Sequence, residues 1–331
     1  MAFTPPVRHL RFSLKELPRR CGFIGWLLAA AGGAYAQAPG VPVYAEGRGA
    51  KPNAMLNEQA KKMQGASELL SMTKALEQAE RMHCDIALPA ADLKPLTPRE
   101  RWQRARMAHL RVGQYYLCSN CDKWHLDLAG GYVITADGAV ATCAHVIAPP
   151  PDMKEGWMVA VTDDDVLLPV TEVLACNVGT DCAIIRVKSA QPLTPLPLSL
   201  DVSPGDAVWC FSDPNGKRGY FSEGIVSRFV KRPFMRKKEA DKLPKGTEVA
   251  RPVWLETTTD WAPGSSGSAL IDQFGNGVGH VSEIQTVVED PLPVKKKKNK
   301  ESTTTAQQLG TQMVFHQAIG AAEVRALVKK P

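Results

Sequence analysis

Apolar positions recur with two different periods along the chain, and the change of period divides it. From about Asn53 to Cys84, Leu56, Ala60, Met63, Leu70, Ala75, Leu76 and Ala79 fall at helical spacing among Glu, Gln and Lys. This predicts an amphipathic helix interrupted at Gly65. Its apolar face either docks on the rest of the chain or builds an oligomer. A Pro-containing link, LPAADLKP, follows, and TPRE at 97–100 then supplies a helix start. Thr97 stands at the N-cap, Pro98 at the first helical position, and Glu100 closes a capping box.

Beyond Leu110 the period becomes two. The segments LRVGQYYL, GGYVIT, AVATCAHV, WMVAVT, LLPVTEVL, AIIRV, AVWCFS, GIVSRFV, PVWLETT, SALID, GVGHVSEIQTVV and MVFHQ read as short strands separated by turn signals. Asp137-Gly138 predicts a hairpin between two of them. The link QPLTPLPLSLDVSPG (191–205) divides the strands into halves of similar size, and GAAEVRALVKK (320–330) predicts a closing helix. Regularly spaced short strands point to an all-β sandwich or barrel.

The N-terminus changes this picture. Arg8, Arg11, Lys15, Arg19 and Arg20 precede the apolar run CGFIGWLLAAAGGAYA, and Ala34-Tyr35-Ala36 reads as a small-residue cleavage site. This is the plan of a secretory signal peptide over 1–36, and the run is short for a membrane anchor. Arg19-Arg20 hints at twin-arginine export, although its flanks fit that signal poorly. The leader carries five basic residues and one acid, so its removal lowers the formal charge from +6 to +2. A nearly balanced chain calls for no nucleic-acid partner. The local basic runs RFVKRPFMRKK (228–238) and KKKKNK (295–300) are expected as solvated loops. No other segment is apolar enough to span a bilayer, so a soluble periplasmic or secreted protein is expected.

Export permits disulfides, and seven of the eight cysteines survive processing. In CSNCDKWH (118–125), Cys118 and Cys121 are expected to pair and close a hairpin. Half of a zinc site is the alternative, but no second ligand pair of suitable spacing appears. Cys176 and Cys182 could also pair, while Cys143 and Cys210 sit in apolar strands as small core residues. His280, in GVGHVSE, could face a substrate cleft, but a core or surface strand position is expected. His83, His109, His125 and His316 have no carboxylate partner legible in the sequence.

The chemistry gathers at three places. TDWAPGSSGSALID (259–272) puts glycines and serines on a tight turn ahead of an apolar run. A serine hydroxyl needs a base to take its proton, a group to orient that base, and backbone amides for the developing oxyanion. His145 in ATCAHVI, Asp181 in GTDCAIIRV and Ser266 in PGSSGSAL supply the set in the order His, Asp, Ser. An α/β-hydrolase would need G-x-S-x-G between strand and helix; position 268 is serine, and a strand-like run follows.

GGYVITADGAVATCAHVI, TDCAIIRV, LPLSLDVSPGDAVWCFSDPNG, SEGIVS and PGSSGSALID resemble successive motifs of trypsin-like serine peptidases, nearest to the bacterial exported HtrA/Deg type. The resemblance covers about Thr97 to Lys330 and lacks the PDZ module of many exported relatives. It implies two six-stranded antiparallel β-barrels with a C-terminal helix and an N-terminal helical extension. Residues 37–96 are then linker and amphipathic helix, and 97–331 the peptidase domain. Barrel 1 runs over about 105–190, barrel 2 over about 204–318, and the closing helix over 320–330. The active site is expected in the cleft between the barrels, with His145 and Asp181 from the first and Ser266 from the second.

By matching position, the amides of Gly264 and Ser266 form the oxyanion hole. The strand HVSEIQ pairs with extended substrate, with Ser282 as a substrate-binding candidate. Asp260, six residues ahead of Ser266, stands where basic-specific members place a pocket carboxylate. It either points into that pocket and favours Arg or Lys, or caps a turn. Ser265 replaces the aspartate that digestive members pair with a new N-terminus, so activation by that ion pair is not expected. Ser268 replaces a common glycine. The resemblance implies a serine endopeptidase acting on polypeptides, unfolded proteins among them, with no cofactor and no metal. A catalytically inactive polypeptide-binding module on the same fold is the alternative.

Overall fold

The computed structural model describes residues 54–234, 247–288 and 310–329. The signal peptide expected over 1–36, most of the link that follows it, the lysine run at 295–300 and the end of the basic run at 228–238 lie outside the described residues.

Twelve strands form two closed barrels. The first contains β1 (His109–Cys118), β2 (Trp124–Val133), β3 (Ala139–Thr142), β4 (Met153–Val161), β5 (Leu167–Asn177) and β6 (Cys182–Val187), in the order β1-β2-β3-β6-β5-β4. The second contains β7 (Ala207–Ser212), β8 (Tyr220–Lys231), β9 (Val253–Thr257), β10 (Ala269–Ile271), β11 (Gly277–Val288) and β12 (Thr311–Gly320). Its order, β10-β11-β12-β9-β8-β7, repeats the connectivity of the first. All pairings are antiparallel, and β1 with β4 and β7 with β10 close the two rings.

Each segment with period two became a strand, although several ends differ from expectation. β2 begins at Trp124 rather than at Gly130, because its first half, WHLDLA, pairs fully with β1. The tail of AVATCAHV leaves the sheet and makes a short 3₁₀ turn over Ala144–Val146. At the expected hairpin, Gly138 adopts φ +94°, and the Thr135 hydroxyl accepts from Ala139 N at 3.0 Å.

The N-terminal helical region divides into α1 (Ala54–Met63) and α2 (Met72–Gln78), with Gly65 at φ +80° between them. Leu56 and Ala60 pack against Tyr115, Val159 and Leu167, while Met72 and Ala75 join Leu110, Val112 and Met158. The apolar face therefore docks on the first barrel of its own chain. The region is not one helix to Cys84: its last residues are extended, and Cys84 exchanges backbone hydrogen bonds with Leu327 and Lys329.

α3 (Pro98–Ala108) begins with the capping box its sequence predicts, Thr97 Oγ1 accepting from Glu100 N and Glu100 Oε2 from Thr97 N. It runs directly into β1, yet its Arg101 guanidinium lies 3.6 Å from the ring centre of Trp209 on β7. α3 thus touches both barrels. α4 (Ala321–Ala326) is shorter than the expected 320–330 and packs Ala321 and Val324 into a cluster shared by both barrels, with Tyr132, Ile184, Trp209 and Trp254. Among the described residues, no helix is long and apolar enough to cross a membrane.

Candidate active site

His145 sits at the centre of the 3₁₀ turn after β3, and its side chain is 40% exposed. Gln114, buried on β1, donates to the carbonyls of Val146 at 2.5 Å and Ala148 at 3.2 Å, which fixes the backbone just beyond the histidine. Asp181 closes a second 3₁₀ turn and adopts the left-handed conformation, φ +53°. Asn177 prepares that turn by accepting from Gly179 N at 3.0 Å.

These two turns bring His145 and Asp181 together. His145 Nδ1 lies 3.0 Å from both Asp181 oxygens, and His145 N donates to Oδ1 at 3.1 Å. A carboxylate can only accept, so Nδ1 carries the proton and Nε2 is left able to accept one. Asp181 is fully buried. Burial by itself raises its pKa, but the hydrogen bonds from His145 and Ser282 and the nearby imidazoles outweigh it, and the net shift is downward. The group remains a carboxylate.

Ser282 Oγ donates to Asp181 Oδ2 at 2.5 Å. The Ser282 hydroxyl is thus engaged with the aspartate, and the substrate pairing expected of this strand is a main-chain one. His280, two residues earlier, is also buried, and its Nε2 lies 3.1 Å from the Asp181 carbonyl. A carbonyl accepts, so Nε2 carries the proton, and burial holds the imidazole pKa below its ordinary value. The sequence places His280 in a strand but does not reveal this role. A signal was present: residues i and i+2 of a strand share a face, so His280 and Ser282 point the same way.

Ser266 is half-buried on the loop between β9 and β10. The loop is fastened to both barrels. Gly130 N donates to Ser266 O at 2.7 Å, Gly267 N to Val281 O at 2.8 Å, and Asn215 N to Pro263 O at 2.7 Å. Gly267 has φ +84°, and a Cβ there would lie 2.2 Å from Gly130 O and 2.4 Å from Thr142 Oγ1, so only glycine lets the loop approach β2 and β3. Thr142 is three residues before His145, which brings the serine loop beside the histidine turn. Gly264 takes φ +96°. Among the described residues, the amides of Gly264 and Ser266 find no acceptor, and no hydrogen bond joins Ser266 Oγ to His145 Nε2.

Ser265 is buried and donates to Ser212 Oγ at 3.1 Å, which accounts for an uncharged residue at this position. Asp260 is exposed, and its carbonyl accepts from Ser222 Oγ at 2.8 Å. Beneath the loop, His109 Nε2 lies 3.5 Å from Asp213 Oδ2, with Arg111 Nε at 3.9 Å. Burial tends to raise the Asp213 pKa, but His109, the Gly219 amide and Arg111 draw it down. His109 thus has the carboxylate partner that its sequence neighbours do not disclose, because Asp213 is a hundred residues away in the other barrel.

Phe234 stacks on His145, with ring centres 6.2 Å apart and planes at 16°, and stacks again on buried Trp254 at 6.0 Å. All seven described cysteines are unbonded in this structure. Cys118 Sγ is directed to Asp152 and Cys121 Sγ to His125, so the two sulfurs face different partners. Cys176 and Cys182 are each buried, as are the core cysteines Cys143 and Cys210.

Residues 129–279 match the trypsin-like peptidase domain, a span that contains His145, Asp181 and Ser266. Among relatives, the putative protease Do-like 14 of Arabidopsis thaliana is 28% identical over 50% of this chain and 37% of its own length. The mitochondrial serine protease HTRA2 of Bos taurus is 30% identical over 45% of this chain and 30% of its own. A probable periplasmic serine endoprotease, DegP-like, of Pseudomonas fluorescens is 27% identical over 48% and 30%. The chain spans about a third of the length of these relatives. Two six-stranded barrels thus surround a segment similar to the trypsin-like peptidase domain, and the relatives it resembles are serine proteases of the HtrA/DegP type.

Proposed function

We propose that the protein is an exported serine endopeptidase that cleaves polypeptides through Ser266, His145 and Asp181. The observation that carries this reading is the buried Asp181 carboxylate facing His145 Nδ1, which leaves Nε2 free to act as a base. Ser266 Oγ attacks the scissile carbonyl carbon while its proton passes to His145 Nε2. The carbonyl oxygen becomes an oxyanion, and the unpartnered amides of Gly264 and Ser266 donate to it. His145 then returns the proton to the leaving amine as the C–N bond breaks, giving an acyl-enzyme. Water, deprotonated by the same nitrogen, releases the acid. Asp181 remains ionised throughout and stabilises the imidazolium.

Substrate enters as an extended strand beside β11, whose Ser282 backbone is available for pairing. The exposed Asp260 argues for its turn-capping role, so a preference for small apolar residues before the cut is favoured over one for Arg or Lys. Periplasmic relatives and the leader at 1–36 support export.

Labelling the purified protein with a fluorophosphonate, beside its Ser266→Ala variant, tests the reading. Modification of the wild type alone at Ser266, together with casein cleavage, is expected. An unlabelled, inactive wild type that still binds unfolded polypeptide would favour the inactive binding module instead.

A further inference from the structure

The turn joining β1 to β2 gathers donor atoms that the proteolytic chemistry does not use. Cys118 ends β1, Cys121 lies in the turn, and His125 is the second residue of β2. Their sulfurs and a ring nitrogen of His125 all lie within 4.8 Å of one another. Cys121 Sγ is 3.0 Å from His125 Nε2. A fourth donor arrives from another segment: Asp152 Oδ2, just ahead of β4, is 3.1 Å from Cys118 Sγ.

The backbone is shaped around these atoms. Cys118 N donates to Lys123 O at 2.9 Å and Asp122 N to Cys118 O at 3.1 Å, with Asp122 left-handed at φ +54°. This tight turn directs Asn120 N onto Cys118 Sγ at 3.3 Å. Asp152 is held from both ends, its carbonyl accepting from Ser119 N at 2.6 Å and its Oδ2 from Asn120 Nδ2 at 3.4 Å.

We propose that Cys118, Cys121, His125 and Asp152 bind one zinc ion that fastens the β1–β2 turn to the start of β4. Two thiolates, an imidazole and a carboxylate form a borderline-soft set that suits zinc and excludes magnesium and calcium, which take oxygen ligands. Zinc bonds of about 2.3 Å to sulfur and about 2.0 Å to nitrogen or oxygen place tetrahedral donors roughly 3.3–3.8 Å apart. Cys118, Cys121 and His125 already lie within 4.8 Å of one another, whereas Asp152 reaches Cys118 but stands outside that group, so its carboxylate must swing toward Cys121 and His125 to complete the set. Four protein donors leave no open position, which makes the site structural. A Cys118–Cys121 disulfide would instead leave the His125 nitrogen and the Asp152 oxygen facing sulfurs that offer them no proton.

The test uses metal content and not proteolysis, so its result is separate from that of the active-site reading. The tag-free full chain, purified under reducing conditions, is incubated with zinc chloride, passed through a desalting column and analysed for metal. One zinc per chain is expected, and cobalt(II) in its place should give sulfur-to-metal charge-transfer bands with the intense visible bands of a tetrahedral ion. Cys121→Ser and His125→Gln should each lose the metal, Asp152→Asn should bind it at least ten-fold more weakly, and Cys176→Ser should retain it. Cys121 is exposed, so its serine variant retains the fold, which circular dichroism checks. A wild-type chain with reduced thiols and no bound zinc would overturn the proposal. So would full occupancy in Cys121→Ser, an octahedral cobalt spectrum, or a Cys118–Cys121 disulfide in protein recovered from its native compartment.

Discussion

Ser282 Oγ donates to Asp181 Oδ2 at 2.5 Å, so the hydroxyl of a strand in the second barrel holds the carboxylate of a turn in the first. The relation gives Asp181 a partner on the side away from His145 and keeps its charge in a fully buried position. Hydrogen bonds to a charged group contribute about 1.5–3 kcal/mol. Ser282→Ala should therefore lower kcat roughly 10- to 100-fold, while KM for a chromogenic peptide changes little, since the backbone that pairs with substrate is retained. A loss confined to KM would place the hydroxyl on the substrate instead.

The triad itself should behave as one unit. Ser266→Ala and His145→Ala are each expected to abolish casein cleavage without changing the circular dichroism spectrum. Asp181→Asn removes the charge and favours the wrong tautomer of His145, and it should reduce kcat by about 10⁴. Casein cleavage by Ser266→Ala at the wild-type rate would end the protease reading.

Most of the architecture was legible because local chemistry and tertiary contacts agree. The period-two segments became strands, TPRE capped its helix, and Asp137-Gly138 turned its hairpin. The relationship of His145 to Asp181 was legible as motif order, since each stands at a strand end beside a recognisable apolar run. What stayed hidden depends on contacts between barrels. His280 and Ser282 reach Asp181 from about a hundred residues away, and His109 meets Asp213 at a similar distance in sequence. Asp152 is invisible as a partner of Cys118 until β1 pairs with β4 and brings Cys118 opposite Met153. The docking of α1 and α2 was equally closed to the sequence, because an apolar helix face fits its own barrel or another copy.

His280 links stability to pH. Burial holds its folded pKa below the ordinary value, so near pH 6 the unfolded chain binds a proton that the folded chain does not. Its contribution is complete above about pH 7 and is lost as pH falls through about 6.5 toward the folded value. The loss is at most about 1.4 kcal/mol per pH unit over that window. His280→Gln keeps a donor for the Asp181 carbonyl but cannot titrate. The difference in Tm between pH 7.5 and pH 5.5 should be smaller in the variant, and an equal difference in both proteins would remove His280 from the account.

Asp260 offers a test of specificity. With its carboxylate exposed and its carbonyl engaged by Ser222, Asp260→Ala should leave the residue preference before the cut unchanged. A peptide-library digest decides the point. Loss of cleavage after Arg and Lys in the variant alone would return the carboxylate to the pocket.

The stack of Phe234 on His145 carries the last prediction. Phe234 lies between the imidazole and Trp254, and Trp254 is fixed in turn: its indole N–H donates to Arg232 O at 3.0 Å, and the Arg232 guanidinium lies 3.6 Å from its ring centre. A ring on one face of the imidazole limits its rotation away from Asp181 and excludes water from that side. Stacked aromatic pairs contribute about 0.5–1.5 kcal/mol beyond burial, which corresponds to roughly 2- to 10-fold in rate. Phe234→Ala should lower kcat by that factor, and Phe234→Leu, which restores bulk without a flat face, should recover only part of it. The opposite outcome has its own meaning. A rise in kcat/KM for peptides with large side chains near the cut would show that Phe234 obstructs the cleft and does not steady the base.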